Sequence, residues 1–257
     1  MPRPTPYLAD IHAPPEADAP PALVDRFRVA TYNVHRWTGV RGGKAFAPEL
    51  AEAVLREIEA DVVALQEVLR PRGRPDPLVA VAEALGMHAA FVVTRHHKRG
   101  ELGNAVLSRW PFAAAEAIDL TFGRLERRAA LAARLRTESA TVTVASTHLA
   151  LVDRTRTRQV RTLLEHPHFD GGPTLLLGDM NAWRRNPGVR DLDSYADRHH
   201  NARWPPSFPS VRPVLALDRA YARGARVLDL HAHDSAASRA ASDHLPVVAT
   251  VSLNGDA

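Results

Sequence analysis

From His88 to His148 the sequence runs through five strand-like segments in succession, with no helical period between them. They are HAAFVV, Gly103 to Pro111, Ala114 to Leu120, Ala129 to Leu135 and Thr141 to His148. Parallel neighbours need a crossover of a dozen or more residues, usually a helix, so strands joined this directly must pair mainly antiparallel. A doubly wound parallel sheet is thereby excluded. Helical periods do occur elsewhere. Leu50, Val54, Leu55 and Ile58 share one face behind Pro48, and Asp76-Pro77 opens a second helix that Gly86 stops after Leu85. A polar, Arg-rich helix is expected from Leu151 to Glu165, and a Pro-, Asn- and His-rich loop from Arg184 to Pro213. No repeat or linker divides the chain. The expected fold is therefore α/β: two mixed, mostly antiparallel sheets face to face with helices outside, a four-layer α/β/β/α sandwich.

Composition sets bounds without choosing a function. The chain has 257 residues, 45% hydrophobic and 24% charged, ordinary values for a globular protein. Residues 1–25 are rich in Pro and Ala and read as an extended or disordered arm before a single domain over 26–254. Net charge is +4, and lysine occurs only at Lys44 and Lys98. Guanidinium forks suit phosphate oxygens, which permits a nucleic-acid partner, although an Arg-rich, Lys-poor usage equally reflects genomic base composition. The absence of cysteine excludes disulfides and thiolate metal sites. No signal-type apolar core and no run of eighteen apolar residues is present, so a cytoplasmic, monomeric protein without a transmembrane segment is expected.

Chemistry gathers where polar residues interrupt apolar strands. TLLLG runs into Asp179 and Asn181, FRVATYN ends at Asn33, DVVALQE at Glu67 and TVTVASTH at His148. Asp218 lies in VLALDRAY, and Asp243-His244 precedes LPVVATV. Taken one at a time each has a plain structural reading. Asp179 and Asn181 make an Asx-turn after a glycine that lets the backbone turn; Glu67 is a solvated strand end; His148 is a core histidine; Asp218 partners Arg219 or Arg223. Together they supply carboxylates, amides and imidazoles at one sheet edge, the simplest materials for a divalent-metal phosphoryl-transfer centre. A phosphate ester repels an incoming hydroxide, so hydrolysis needs a cation, a base for water and donors to the phosphoryl oxygens. Oxygen ligands without thiolate suit Mg²⁺, or Mn²⁺, better than zinc.

The ordered set TYNVH, LQEV, GNAVLSR, STHLA, GDMNA, ALDRAY and SDHLPV resembles the endonuclease/exonuclease/phosphatase superfamily, the fold of DNase I, over Phe27 to Leu253. GDMN and SDHLPV together carry most of its specificity. The resemblance implies that Glu67 is the principal metal-binding residue, with Asn33 and Asp243 facing the same ion. It implies that Asp179 and Asn181 activate or orient the attacking water, that His244 is the terminal catalytic histidine and that Asp218 orients it. It further implies that His148 donates to phosphate and that Asn104 lines the cleft. Sequence leaves open whether His244 or Asp179 takes the proton from water; the assignment adopted here makes Asp179 the base.

The superfamily handles DNA, RNA, inositol phosphates and sphingomyelin, so the fold alone does not choose a substrate. The expectation is a Mg²⁺-dependent phosphodiesterase acting on nucleic acid, with a phospholipid or small phosphodiester as the alternative. A catalytically inert binding module is disfavoured because Glu67, Asp179 and His244 are all present. Arg184, with Arg185 and Arg190, is read as a phosphate-binding rim. TRHHKRG, Thr94 to Gly100, is read as a basic surface turn. Trp37, Trp183 and Trp204 fall in loops where they would stack on a base, touch a lipid or cover the sheet edge.

Overall fold

Side chains alternate across a strand, and here that alternation sends even continuous apolar runs into two different cores. The computed structural model describes residues 9–14, 25–122, 127–136, 141–196 and 203–253, the side chain of His97 excepted. Most of the proposed N-terminal arm, and residue 254, lie outside the described residues. The elements run in chain order as β1 (Asp10–His12), β2 (Arg26–Asn33), α1 (Pro48–Ile58), β3 (Val62–Pro71), α2 (Pro77–Leu85), β4 (His88–His97), β5 (Gly100–Ser108) and β6 (Phe112–Asp119). They continue as β7 (Ala129–Arg136), β8 (Thr141–His148), α3 (Asp153–Leu164), β9 (Thr174–Asp179), α4 (Pro187–Tyr195), β10 (Asp218–Arg223), β11 (Arg226–Ala232), α5 (Ala236–Ala241) and β12 (Val247–Ser252).

A seven-stranded sheet, β1-β4-β5-β3-β2-β12-β11, faces a five-stranded sheet, β10-β9-β8-β7-β6. Val29, Val62, Val106, Val144, Leu131, Leu175 and Leu177 fill the layer between them. Tyr32, Val63 and Leu65 point the other way, into a core shared with α1 and α2, while Leu176 packs with Val160 and Leu163 of α3 and Leu192 of α4. Each fully buried Val or Leu contributes about 1.5–3 kcal/mol of transfer free energy. The four-layer α/β/β/α sandwich expected from the strand succession is the fold found.

Pairing is antiparallel except between β2 and β3 and between β8 and β9. Those two parallel pairs are the ones whose connections carry α1 and α3, the length a crossover needs. Each sheet therefore sends two adjacent strands out in the same direction, their parallel pairing ending at Asn33 and Gln66 in one and at His148 and Asp179 in the other.

Some local expectations are corrected. The Arg184–Pro213 loop contains α4, capped by Asn186, whose side chain accepts from Val189 N–H with Pro187 at the first helical position. TRHHKRG is mostly the end of β4, not a turn, and only the tip connects it to β5. Asp10–His12 of the Pro-rich arm adds to β4 as an edge strand. Gly178 makes no turn: it pairs within β9, and a Cβ there would lie 2.0 Å from the Thr147 carbonyl oxygen. Its missing side chain permits close strand approach.

Candidate active site

Sheet register assembles the first half of the site. His148 pairs with Asp179 across the parallel β8–β9 ladder, and Asp179 pairs with Asp218 across β9–β10. Three site residues thus stand side by side on adjacent strands. From the facing sheet, Asn33 at the end of β2 donates from Nδ2 to Asp179 Oδ2 at 3.2 Å. Asp179 Oδ2 is also 3.4 Å from His148 Nε2 and 3.8 Å from His244 Nε2, while Oδ1 accepts the Asn181 N–H at 3.0 Å. Asn181 holds a left-handed backbone (φ 49°) and donates to the Leu149 carbonyl at 2.9 Å. A non-glycine residue in that region costs about 1 kcal/mol, and such strain concentrates at functional sites.

His244 completes a relay. Its Nδ1 lies 2.8 Å from Asp218 Oδ2, which also accepts from the Ser207 hydroxyl at 2.6 Å. The ring packs 4.9 Å from Phe208. Ser242 ties this loop to β2 by donating to the Asn33 carbonyl at 2.6 Å. Burial pushes the His244 imidazole down, but the Asp218 and Asp179 carboxylates, with the hydrogen bond to Asp218, outweigh it and carry it up to about 10. Burial raises Asp179 to about 6, with Asp218 adding to the rise while His244 and the Asn181 and Asn33 donors oppose it. Burial, then the nearby Arg128, His244 and Arg95 cations, hold His148 well below its usual range, so it is neutral. At pH 7 the group is an ionised Asp179, a protonated His244 held by Asp218, and a neutral His148.

The remaining acids come from distorted backbone. Between Leu65 and Val68 the β3–β5 register shifts, so Gln66 and Glu67 oppose Asn104 alone, and Glu67 has φ 53°. A second bulge, between Val93 and Arg95, inserts Thr94 on the other side of β5. Bulges re-aim side chains at sheet rims, and these two flank Gly103, where a Cβ would sit 1.9 Å from the Val92 carbonyl oxygen. Glu67, Thr94, Arg95, Asn104, Arg128 and His148 consequently line one small cleft of about 30 Å³. After Asn33, residues His35, Arg36 and Trp37 all take positive φ, a left-handed turn. It brings Arg36 Nε to 3.2 Å from Glu67 Oε2 and His35 Nδ1 to 3.3 Å from Asp243 Oδ1.

Two groupings invite a cation. Asp179, Asp218 and His244 have ligand-type atoms within 4.8 Å of one another. That trio is already balanced by the imidazolium proton, which a metal would have to displace. Glu67 and Asp243 are only half-buried carboxylates at the same edge as Asn33, whose amide oxygen accepts the His35 N–H at 3.0 Å. Hard oxygen donors fit Mg²⁺ or Mn²⁺; the Arg36 guanidinium now faces Glu67. Glu67, Asn33 and Asp243 form the second, oxygen-only grouping.

Asn33, Glu67, His148, Asp179, Asn181, Asp218, Asp243, His244 and Asn104 all fall at this edge. Asn104 is buried and donates to the Ala129 carbonyl at 2.8 Å, which fixes the cleft wall. Arg184 is not drawn in: its guanidinium bridges to Asp153 at 2.8 Å, on α3. Asp218 is buried without Arg219 or Arg223 as partner; Arg219 instead reaches Tyr221 and the Ala182 carbonyl. Trp37 is a core residue whose Nε1 donates to the Leu69 carbonyl at 2.9 Å, and Trp204 packs on Tyr221. Only Trp183 among the three is substantially exposed (44%), with the Arg156 guanidinium over its ring. Sequence reasoning missed His35, Arg36, Ser207 and Ser242. Ser242 and His35 adjoin recognised motif residues, a usable signal; nothing local marks Ser207.

The sequence model of the Endonuclease/Exonuclease/phosphatase family matches residues 30–244. YbhP of Escherichia coli (strain K12), itself uncharacterized, is 32% identical over 246 residues, covering 88% of this chain and 96% of YbhP. The mannosyl-6-phosphatase Bt3783 of Bacteroides thetaiotaomicron VPI-5482 superposes with TM-score 0.70 at 14% identity, over 88% of this chain and 99% of that one. D. rerio TDP2, complexed with single strand DNA product, superposes with TM-score 0.63 at 17% identity, over 88% and 98%. At these identities the two structures establish a shared fold.

Proposed function

This chain belongs to the endonuclease/exonuclease/phosphatase family, and from that premise we propose that it is a divalent-metal-dependent phosphodiesterase acting on nucleic acid. Membership and fold support the coarser statement, a hydrolase of phosphoester bonds. The observation that supports hydrolysis by water attack is Asp179, a buried carboxylate whose Oδ2 faces Asn33, His148 and His244 together. A bound Mg²⁺ or Mn²⁺ at Glu67, Asn33 and Asp243 would supply Lewis-acid neutralisation of the phosphate.

The protein side of the reaction follows from proton affinities. Asp179 accepts a proton from the attacking water, the amide N–H of Asn181 holding its other oxygen still. His244, protonated and oriented by Asp218, places positive charge against the developing phosphorane oxygens. Neutral His148 offers an N–H to the same oxygens. Ser207 holds Asp218 from behind, so that His244 keeps one orientation.

A second reading has one observation behind it. Leu151, Val152 and Trp183, just past β8 and β9, are exposed by 58%, 61% and 44%. An apolar rim of this kind favours the acyl region of a phospholipid substrate. A substrate panel decides: plasmid, single-stranded DNA, RNA, phospholipid vesicles, a sugar phosphate and bis(p-nitrophenyl) phosphate, each with and without EDTA. Chelator-sensitive cleavage of DNA or RNA is expected. Turnover confined to lipids or to the sugar phosphate would overturn the substrate, and EDTA-resistant turnover would overturn the metal.

A further inference from the structure

A basic groove of about 770 Å³ adjoins the site on its Arg36 side. Its walls are the loop after the left-handed turn (Gly43, Lys44, Phe46), the end of β3 and beyond (Leu69, Pro71, Arg72, Arg74), and the β4–β5 hairpin tip (Lys98, Arg99). Six cationic side chains, Arg36, Lys44, Arg72, Arg74, Lys98 and Arg99, line it, and no carboxylate does so among the described residues. The contrast within the molecule is direct. The cleft of about 490 Å³ on the other side mixes Arg95, Arg127 and Arg128 with Asp10 and Asp119. Lys44 and Lys98, the chain's two lysines, both stand in the basic groove although they are 54 positions apart.

The walls are fastened to one another. Arg72 N–H donates to the Arg99 carbonyl at 2.9 Å, and Arg99 Nη1 donates to the Gly43 carbonyl at 3.3 Å. The concavity is therefore preformed, and its inner end is Arg36, which contacts Glu67. Like charges so confined repel each other, and the compact state tolerates them most readily when a polyanion sits between them. We infer that this groove seats the phosphodiester backbone of a nucleic-acid strand flanking the scissile phosphate, an inference that rests on the phosphodiesterase reading above. Spaced cations along a channel match the one negative charge per nucleotide of a single strand, and Phe46 offers a face for a base. A bilayer would need a protruding or flat basic surface; the exposed apolar residues Leu151, Val152 and Trp183 lie outside this groove's lining.

The test compares the wild type with Arg72→Glu/Arg74→Glu/Lys98→Glu and with the milder Lys44→Gln/Lys98→Gln, thermal melting establishing that both are folded. A labelled single-stranded DNA 20-mer is titrated by anisotropy in EDTA at several salt concentrations. We expect the triple variant to bind roughly tenfold more weakly, with a log K against log salt slope shallower by about 2. The ratio of kcat/KM for the oligonucleotide to that for bis(p-nitrophenyl) phosphate should fall by a similar factor. An unchanged salt slope, an equal loss on both substrates, or a variant defect seen only with anionic lipid vesicles would overturn the inference. If the wild type cleaves no phosphodiester yet shows the expected binding and slope change, the enzymatic reading fails and the groove stands.

Discussion

Three protonation states set by burial and by neighbours define what the site can do. Asp179 titrates near 6 and must be ionised to accept a proton, so kcat/KM should climb with pH through that value. In the proposed mechanism His244 stays protonated to counter phosphate charge, so the rate should fall again as pH passes about 10. Asp218→Asn removes the carboxylate that lifts His244; the falling limb of the pH–rate profile should move to lower pH, the sign expected when an anionic partner of an imidazolium is lost. Asp179→Asn should lower kcat by about 10²–10⁴ with an unchanged circular dichroism spectrum. A small loss would remove Asp179 from the role of base. The Arg36 guanidinium is a resident counter-ion for Glu67, and His35 Nδ1 lies 3.3 Å from Asp243 Oδ1. EDTA-treated protein should therefore keep a cooperative thermal transition, with Mg²⁺ raising Tm only as ligand linkage demands. Unfolding on chelation would show that these contacts do not balance the acids.

At the scale of elements, the two bulges beside Gly103 decide where Glu67 and Thr94 point. Gly103→Ala forces a methyl onto the Val92 carbonyl and the Phe91 ring, a clash with backbone that should cost about 3 kcal/mol. For a chain of this size that lowers Tm by roughly 6–12 °C in calorimetry. The same elements show what the sequence can and cannot tell. Helices α1 and α2 were legible because Pro48, Asp76-Pro77 and Gly86 are local punctuation for helix ends. The ends of β2, β8 and β9 were legible because a buried run that stops at Asn33, His148 or Asp179 is locally anomalous. By contrast β3, expected to end at Glu67, continues past the bulge to Pro71. Helix α4 was hidden inside a Pro- and Asn-rich stretch, although Asn186-Pro187 is itself a start signal. The bulge at Gln66-Glu67 leaves no trace in alternation, since both neighbouring faces are apolar. Trp37 looked like a loop aromatic because only the packed α1 shows that it is covered. Ser207 reaches Asp218 across eleven residues, and no short-range pattern encodes that bond.

In the whole molecule, the site belongs to neither sheet. Asn33, Glu67, Asn104 and the Asp243-His244 loop come with the seven-stranded sheet, and His148, Asp179 and Asp218 with the five-stranded one. Gln66 and Ser146 bond each other across the gap at 3.2 Å, and Asn33 bonds Asp179. Activity should therefore report on how the sheets are seated. Leu177→Ala, in the layer beneath Asp179, should lower stability by about 2–5 kcal/mol in denaturant unfolding. It should also reduce kcat in the folded protein, because a shift of about 1 Å at a catalytic group can cost about 10²-fold. Unaltered kcat would mean that the two sheets hold register independently of that layer. The chain order adds a matter of timing. All of β6 to β10 is laid down before β11 and β12 return to the first sheet, and β12 is the strand that hydrogen-bonds to β2. The Asp243-His244 pair arrives with that last return. A chain emerging from the ribosome carries Glu67 and Asp179 well before it carries the histidine that the proposed mechanism pairs with them. The site proposed here therefore cannot assemble before residue 244 has been made and β12 has paired with β2.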